Sequence, residues 1–145
     1  MFPVHLTSTF MSELRSRGSE TEKMTINLGV VDLGQIDLLV QEGFYSNRSD
    51  LIRTAIRNQL AVHAEELRRT VDRRTLTLGL QQFSRGDLEA LRAAGRTVRI
   101  QVVGLARIAD DVPPELAAAT IESVQVLGAF QASPAVRAAL AGRIT

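Results

Sequence analysis

Residues 23–30 read Lys23-Met24-Thr25-Ile26-Asn27-Leu28-Gly29-Val30, and their alternation decides the fold. Met24, Ile26, Leu28 and Val30 fall on one side of an extended chain, and Lys23, Thr25, Asn27 and Gly29 fall on the other. That is the period of a strand with one buried face. Two helical patterns follow. Asp32 is placed as the N-cap of the first, with Gln35 completing a capping box. Leu33, Ile36, Leu39 and Val40 form its apolar face, and Gly43 ends it. Phe44 and Tyr45 return the chain to the core. Ser46 or Asn47 caps the second helix, with Asp50 in its first turn, where the helix dipole favours an anion. Leu51, Ile52, Ala55, Ile56 and Leu60 make its apolar stripe. No Gly or Pro intervenes before Gly79, so this helix is expected to continue to about Val71. The basic residues Arg68, Arg69, Arg73 and Arg74 lie along and just beyond that continuation.

One short strand and two helices cannot close a core. A lone strand has two unpaired edges and a naked apolar face. A second copy supplies the remedy: two strands pair antiparallel across a two-fold axis and the helices of both chains pack on one face of the ribbon. The opposite, polar face then stands free, and a two-stranded ribbon fits the DNA major groove, where all four base pairs are distinguishable.

The run from Lys23 to Val30, then Asp32 through Gly43, then Tyr45-Ser46-Asn47-Arg48-Ser49-Asp50-Leu51-Ile52-Arg53-Thr54-Ala55-Ile56-Arg57, resembles the ribbon-helix-helix family of the MetJ and Arc repressors. The stretch Tyr45–Arg57 is the more specific part, and the resemblance covers about a quarter of the chain. It implies a homodimer that binds double-stranded DNA. It implies base reading by Thr25 and Asn27. The family's third reading position falls on Gly29, which has no side chain, and Lys23 is the substitute contact. It also implies a phosphate held at the opening of the second helix by Ser46, Asn47, Arg48 and Ser49, and a helix N-terminus is an anion site on physical grounds too. Beside these stand plainer readings: Thr25 and Asn27 as solvent-facing residues of an edge strand, Ser46–Ser49 as a helix start and nothing more, and Arg48 as a solvated charge.

Composition alone gives no footprint of nucleic acid, because 17 basic residues meet 16 acidic ones. There is no cysteine, which excludes disulfides, thiolate metal sites and a cysteine nucleophile, and suits a cytoplasmic protein working at the nucleoid. No apolar run approaches a membrane span. Only His5 and His63 are present, too few for a histidine metal sensor. His63 reads as a polar residue on the helix seam. Asp110 and Asp111 precede Pro113-Pro114 and read as helix caps. With no Gly-rich phosphate loop and no catalytic triad, neither an enzyme nor a cofactor is expected. Residues 1–22 read as a flexible arm whose Arg15 and Arg17 are alternative DNA contacts.

Beyond about Thr75 the chain repeats itself. Leu76-Thr77-Leu78, Ile100-Gln101-Val102 and Val124-Gln125-Val126 start 24 residues apart, and glycine follows each at Gly79, Gly104 and Gly128. Short helices are expected over Asp87–Ala94 behind Ser84, near Pro114–Thr120, and over Pro134–Ala141 with Ser133 as N-cap. Strand, turn and helix at a fixed period suggest a small stack, with chance similarity of short apolar strands as the other reading. The expected fold class is α+β: an arm over 1–22, a ribbon-helix-helix module over 23–71 and a strand-turn-helix unit over 72–145. Three roles compete for the last unit. It joins dimers into a tetramer or larger array, it binds a small effector, or it binds a toxin protein as in an autoregulating antitoxin. Assembly is favoured, because nothing after the last helix is available to cap the stack polar-side out.

Overall fold

In the computed structural model, which describes residues 20–145, residues 21–29 run without regular structure. A strand exists only where its amides and carbonyls find a neighbouring chain, and a single copy offers none. Helix α1 (Val30–Gln41) follows. Its N-cap is Gly29, with no side-chain cap, so the helix starts earlier than the Asp32 cap expected from sequence. Asp32 instead lies in the first turn, where the dipole still favours its charge. The helix ends as expected at Gly43: the Gly43 amide donates to Val40 O at 3.1 Å and the Phe44 amide to Leu39 O at 3.0 Å, a Schellman closure.

Helix α2 (Arg48–Val62) and helix α3 (Ala64–Arg73) replace the single long helix expected. The break is at His63, whose amide donates back three residues to Leu60 O at 3.1 Å, while helical bonding resumes with the Leu67 amide donating to the His63 carbonyl at 2.9 Å. In this unit of the chain, residues 23–74, no side chain is buried.

The second unit comprises residues 75–145 together with residues 20–22 of the described chain. Strands β1 (Thr77–Phe83), β2 (Val98–Ile108) and β3 (Ile121–Gln131) form a parallel sheet in that order. Helix α4 (Arg85–Ala93) leads from β1 to β2, helix α5 (Pro114–Thr120) from β2 to β3, and helix α6 (Pro134–Ala139) follows β3. Parallel neighbours require such crossovers. Ser84 and Asp87 cap α4 reciprocally, Ser84 Oγ accepting from the Asp87 amide at 3.1 Å and the Asp87 carboxylate from the Ser84 amide at 2.9 Å. Ser133 Oγ accepts from the Val136 amide at 3.2 Å at the head of α6. The cap of α5 is Pro113, with no side-chain bond, so Asp110 and Asp111 are not the caps they were expected to be.

The core lies between the helices and one sheet face. Leu88 of α4, Leu116 and Ala117 of α5 and Val136 of α6 pack with Ile100, Val102, Ala106, Ile108, Ile121 and Val124 of the sheet. Each such aliphatic side chain contributes roughly 1.5–3 kcal/mol when fully buried. Among the described residues of this unit no helix covers the other sheet face, which carries the rows Leu78–Val103–Leu127 and Leu80–Leu105–Ala129.

The three glycines stand in one row, Gly79 beside Gly104 beside Gly128. The glycines, rather than the strand starts, set the repeat, so the first interval is one residue longer than the second. All three have positive φ, between +121° and +138°, a region that L side chains rarely adopt. A β-carbon on Gly104 would overlap the carbonyl oxygen of Gly79, and one on Gly128 would overlap that of Gly104. The strands therefore approach through bare backbone at this row.

The far side of β3 is covered at Val124, near the start of the strand. Ile144 forms a parallel bridge with Val124 and the Thr145 amide donates to Val124 O at 3.0 Å. The Arg143 guanidinium donates from Nη1 to Ala118 O at 2.6 Å and Ile121 O at 2.7 Å. The expectation that nothing caps the last repeat is thus wrong: the chain after α6 turns through Ala141–Arg143 and caps it.

Candidate nucleic-acid interface

Two sets of residues carry the expected DNA contacts, and each lies together in the structure. Lys23, Thr25 and Asn27 are alternate, exposed residues of the extended segment before α1. Between them Met24, Ile26 and Leu28 are 73%, 51% and 40% exposed. Gly29 closes the segment as the cap of α1 and offers only backbone.

Ser46, Asn47, Arg48 and Ser49 form the entry to α2. Asn47 Oδ1 accepts from the Asp50 amide at 2.8 Å, and the Asp50 carboxylate accepts from the Ser46 amide at 3.0 Å. These bonds hold the turn in shape. The amides of Arg48 and Ser49 precede the first bonds within the helix, the orphan donors that give a helix N-terminus its affinity for anions.

The Arg48 side chain points elsewhere. Its Nε donates to Asp37 Oδ1 at 2.7 Å and its Nη2 to Asp37 Oδ2 at 2.8 Å. This fork-to-fork pair ties α1 to α2. The hydrogen bond from Arg48 and its charge hold the Asp37 carboxyl below its ordinary value of 3.8, and Asp37 in turn raises the Arg48 guanidinium. Sequence reading missed Asp37. It lies eleven residues from Arg48 on another helix, beyond any helical spacing rule, and the only signal was an acidic residue off the apolar stripe of α1. A depressed carboxylate stabilises the folded chain above its ordinary pKa, and that contribution disappears as pH falls through the folded value. Asp37→Asn is therefore expected to flatten the acid limb of the stability curve below about pH 4, a window set by ordinary carboxylate pKa values. Urea midpoints measured from pH 2 to pH 7 test this, and a variant with an unchanged acid limb would exclude the pair as its source.

The remaining candidates are dispersed. His63 sits at the α2–α3 break with its Nε2 3.4 Å from Gln59 Nε2. Asp110 and Asp111 line a cleft of about 700 Å³ with Arg107, Gln82 and Ser84 at the carboxyl ends of β1 and β2. Arg107 Nε donates to Gln131 Oε1 at 3.0 Å, while its buried Nη2 has no hydrogen-bond partner among the described residues. Arg15 and Arg17 lie outside the described residues. Among the described residues no His, Cys, Asp and Glu side chains converge in a group fit for a metal ion, and no helix is long and apolar enough to cross a membrane.

No curated protein and no solved structure matches the chain. A family match does exist, and it spans both units, over residues 19–137. With the exposed alternating segment, the capped second helix and that match together, the chain belongs to the ribbon-helix-helix transcriptional regulator family.

Proposed function

We propose that this regulator is a homodimeric, sequence-specific repressor that sets an antiparallel ribbon, one strand from each copy, into the major groove, at the nucleoid in the cytoplasm. Regulators of this family bind DNA and typically act as dimers. The observation that carries the reading is the exposure of Met24, Ile26 and Leu28 in a unit without a single buried side chain. Such a module gains its core only from a second copy. Thr25 and Asn27 of each strand then read base edges, with Lys23 beside them. The entry to α2, Ser46 to Ser49, clamps a backbone phosphate. Arg48 takes part through its amide, since its guanidinium holds Asp37.

The two sets are expected to separate by experiment. On duplexes selected from a random-sequence pool, Asn27→Ala costs roughly 1–3 kcal/mol of affinity and leaves random DNA bound as before. Ser49→Asp puts a negative charge in the phosphate cradle and weakens selected and random DNA alike. Fluorescence anisotropy across a salt series measures both, and identical behaviour of the two variants on both DNAs would overturn the division of roles.

The C-terminal unit serves as a self-association module that links copies of the regulator, to a tetramer or larger array. Its own core and caps support this over a toxin-binding tail, which orders only on binding. A second reading, an effector-gated repressor, is favoured by the cleft beside Asp110 and Asp111. Light scattering of the full chain and of a chain ending at residue 74 distinguishes them: assembly requires a larger particle for the full chain.

A further inference from the structure

We infer that the outer edge of β1 pairs antiparallel with β1 of a second copy across a two-fold axis, an inference that rests on the C-terminal unit being the self-association module. The two edges of the sheet are treated differently. The far side of β3 is partnered at Val124 by Ile144 and Thr145. The outer edge of β1 receives no backbone hydrogen bond among the described residues.

Exposed edges are ordinarily guarded by lysine, proline, a bulge or a cover, because bare amides and carbonyls recruit other strands. Among the described residues strand β1 has none of these guards. Its seven residues, Thr77-Leu78-Gly79-Leu80-Gln81-Gln82-Phe83, carry no charge. Leu78 is 72% and Leu80 48% exposed. Gly79 repeats the backbone conformation of Gly104 and Gly128, yet nothing stands within 4 Å of where its β-carbon would be, whereas each of the other two meets a neighbouring strand's carbonyl. The row of glycines thus ends in an open place.

The occupant follows from symmetry. Head-to-tail stacking on the far side of β3 would have to pass Ile144 and Thr145 beside Val124, and it would leave an open β1 at the end of every stack. What remains is the self-complementary contact, β1 on β1, which closes after two copies and leaves no edge exposed. An uncharged strand meets itself without like-charge repulsion. In such a pair, with the axis normal to the sheet, one residue of β1 faces its own copy. A residue two places away is separated from its copy by four residues of register, roughly 13 Å.

The absence of native cysteine gives a clean background. Single cysteines are placed in the full-length protein at Thr77, Leu78, Leu80, Gln81 and Gln82, with Leu127→Cys on the exposed face of β3 as control. Mild oxidation is followed by denaturing electrophoresis. The expected result is a peak of covalent dimer centred on one residue of β1 and falling symmetrically on both sides, with little at Leu127→Cys. A lysine at exposed Leu78 or Leu80, introduced beside the peak cysteine, lowers the yield several-fold while the far-ultraviolet circular dichroism stays unchanged. Uniform cross-linking along β1, none at all, or a yield equal to the Leu127→Cys control overturns the inference. If pairing fails while light scattering still shows the full chain larger than a dimer, the association module stands and only its surface is wrong.

Discussion

Gly104→Ala is expected to unfold the C-terminal sheet under conditions in which the parent is fully folded. The added methyl group meets the Gly79 carbonyl oxygen, and this obstacle is backbone, held in place by the β1–β2 pairing on either side. It cannot rotate away as a side chain would. To the collision is added a φ of +138°, a region costing about 1–3 kcal/mol for a residue with a side chain. Together these exceed about 4 kcal/mol, a large part of the roughly 5–15 kcal/mol that holds a domain folded. Gly79→Ala is the matched control. It has the same kind of backbone conformation with open space beyond it, so it suffers the strain of about 1–3 kcal/mol alone. Urea unfolding followed by circular dichroism compares the two. Equal losses would mean that the approach of the strands is not what excludes a side chain at Gly104.

Ile26→Pro is expected to abolish specific DNA binding. In the proposed ribbon, Ile26 would supply both a ladder hydrogen bond and an apolar side chain on the buried face, and proline removes both. Loss of a buried isoleucine costs about 2–5 kcal/mol, and a symmetric dimer suffers it twice. The expected loss in affinity is at least about 100-fold. Ile26→Val keeps the strand and most of the side chain and should remain near the parent. The C-terminal unit has its own core, so the proline variant retains a cooperative thermal transition from that unit. Electrophoretic mobility shifts together with calorimetry separate the two effects. Parent-like DNA binding by Ile26→Pro would remove the ribbon from the mechanism.

The two helices after residue 29 are legible in sequence because their apolar residues recur at helical spacing, whereas the alternation over residues 23–30 reads as a strand that a single copy does not form. What spacing does not impose is harder to read. Aspartate is favoured both as a cap and in the first turn of a helix, so Asp32 signals a helix start without fixing its first residue, and Gly29 took the cap. The break at His63 has neither glycine nor proline to announce it. Asp110 and Asp111 stand before a helix, yet Pro113 occupies the cap. The repeat was visible in three apolar strands, but its register was set by backbone approach at the glycines. The seal formed by Arg143, Ile144 and Thr145 depends on carbonyls of α5 and β3, partners about twenty residues distant that no local pattern identifies. The Asp37–Arg48 pair is hidden for the same reason: its logic is tertiary.

The row of glycines has a consequence for how such a chain changes over generations. Each of Gly104 and Gly128 is required by the strand before it, not by its own surroundings. A duplicated segment of one strand and one helix, inserted between β2 and β3, would need a glycine at the matching place to stack on Gly104 and to receive Gly128 in turn. The seal at Val124 would move outward with β3, undisturbed. The sheet can therefore gain or lose a rung by inheritance of a whole repeat, while a single substitution at Gly104 or Gly128 meets the carbonyl of the strand before it. Length is open to evolution in this unit, and the spacing of its rungs is not.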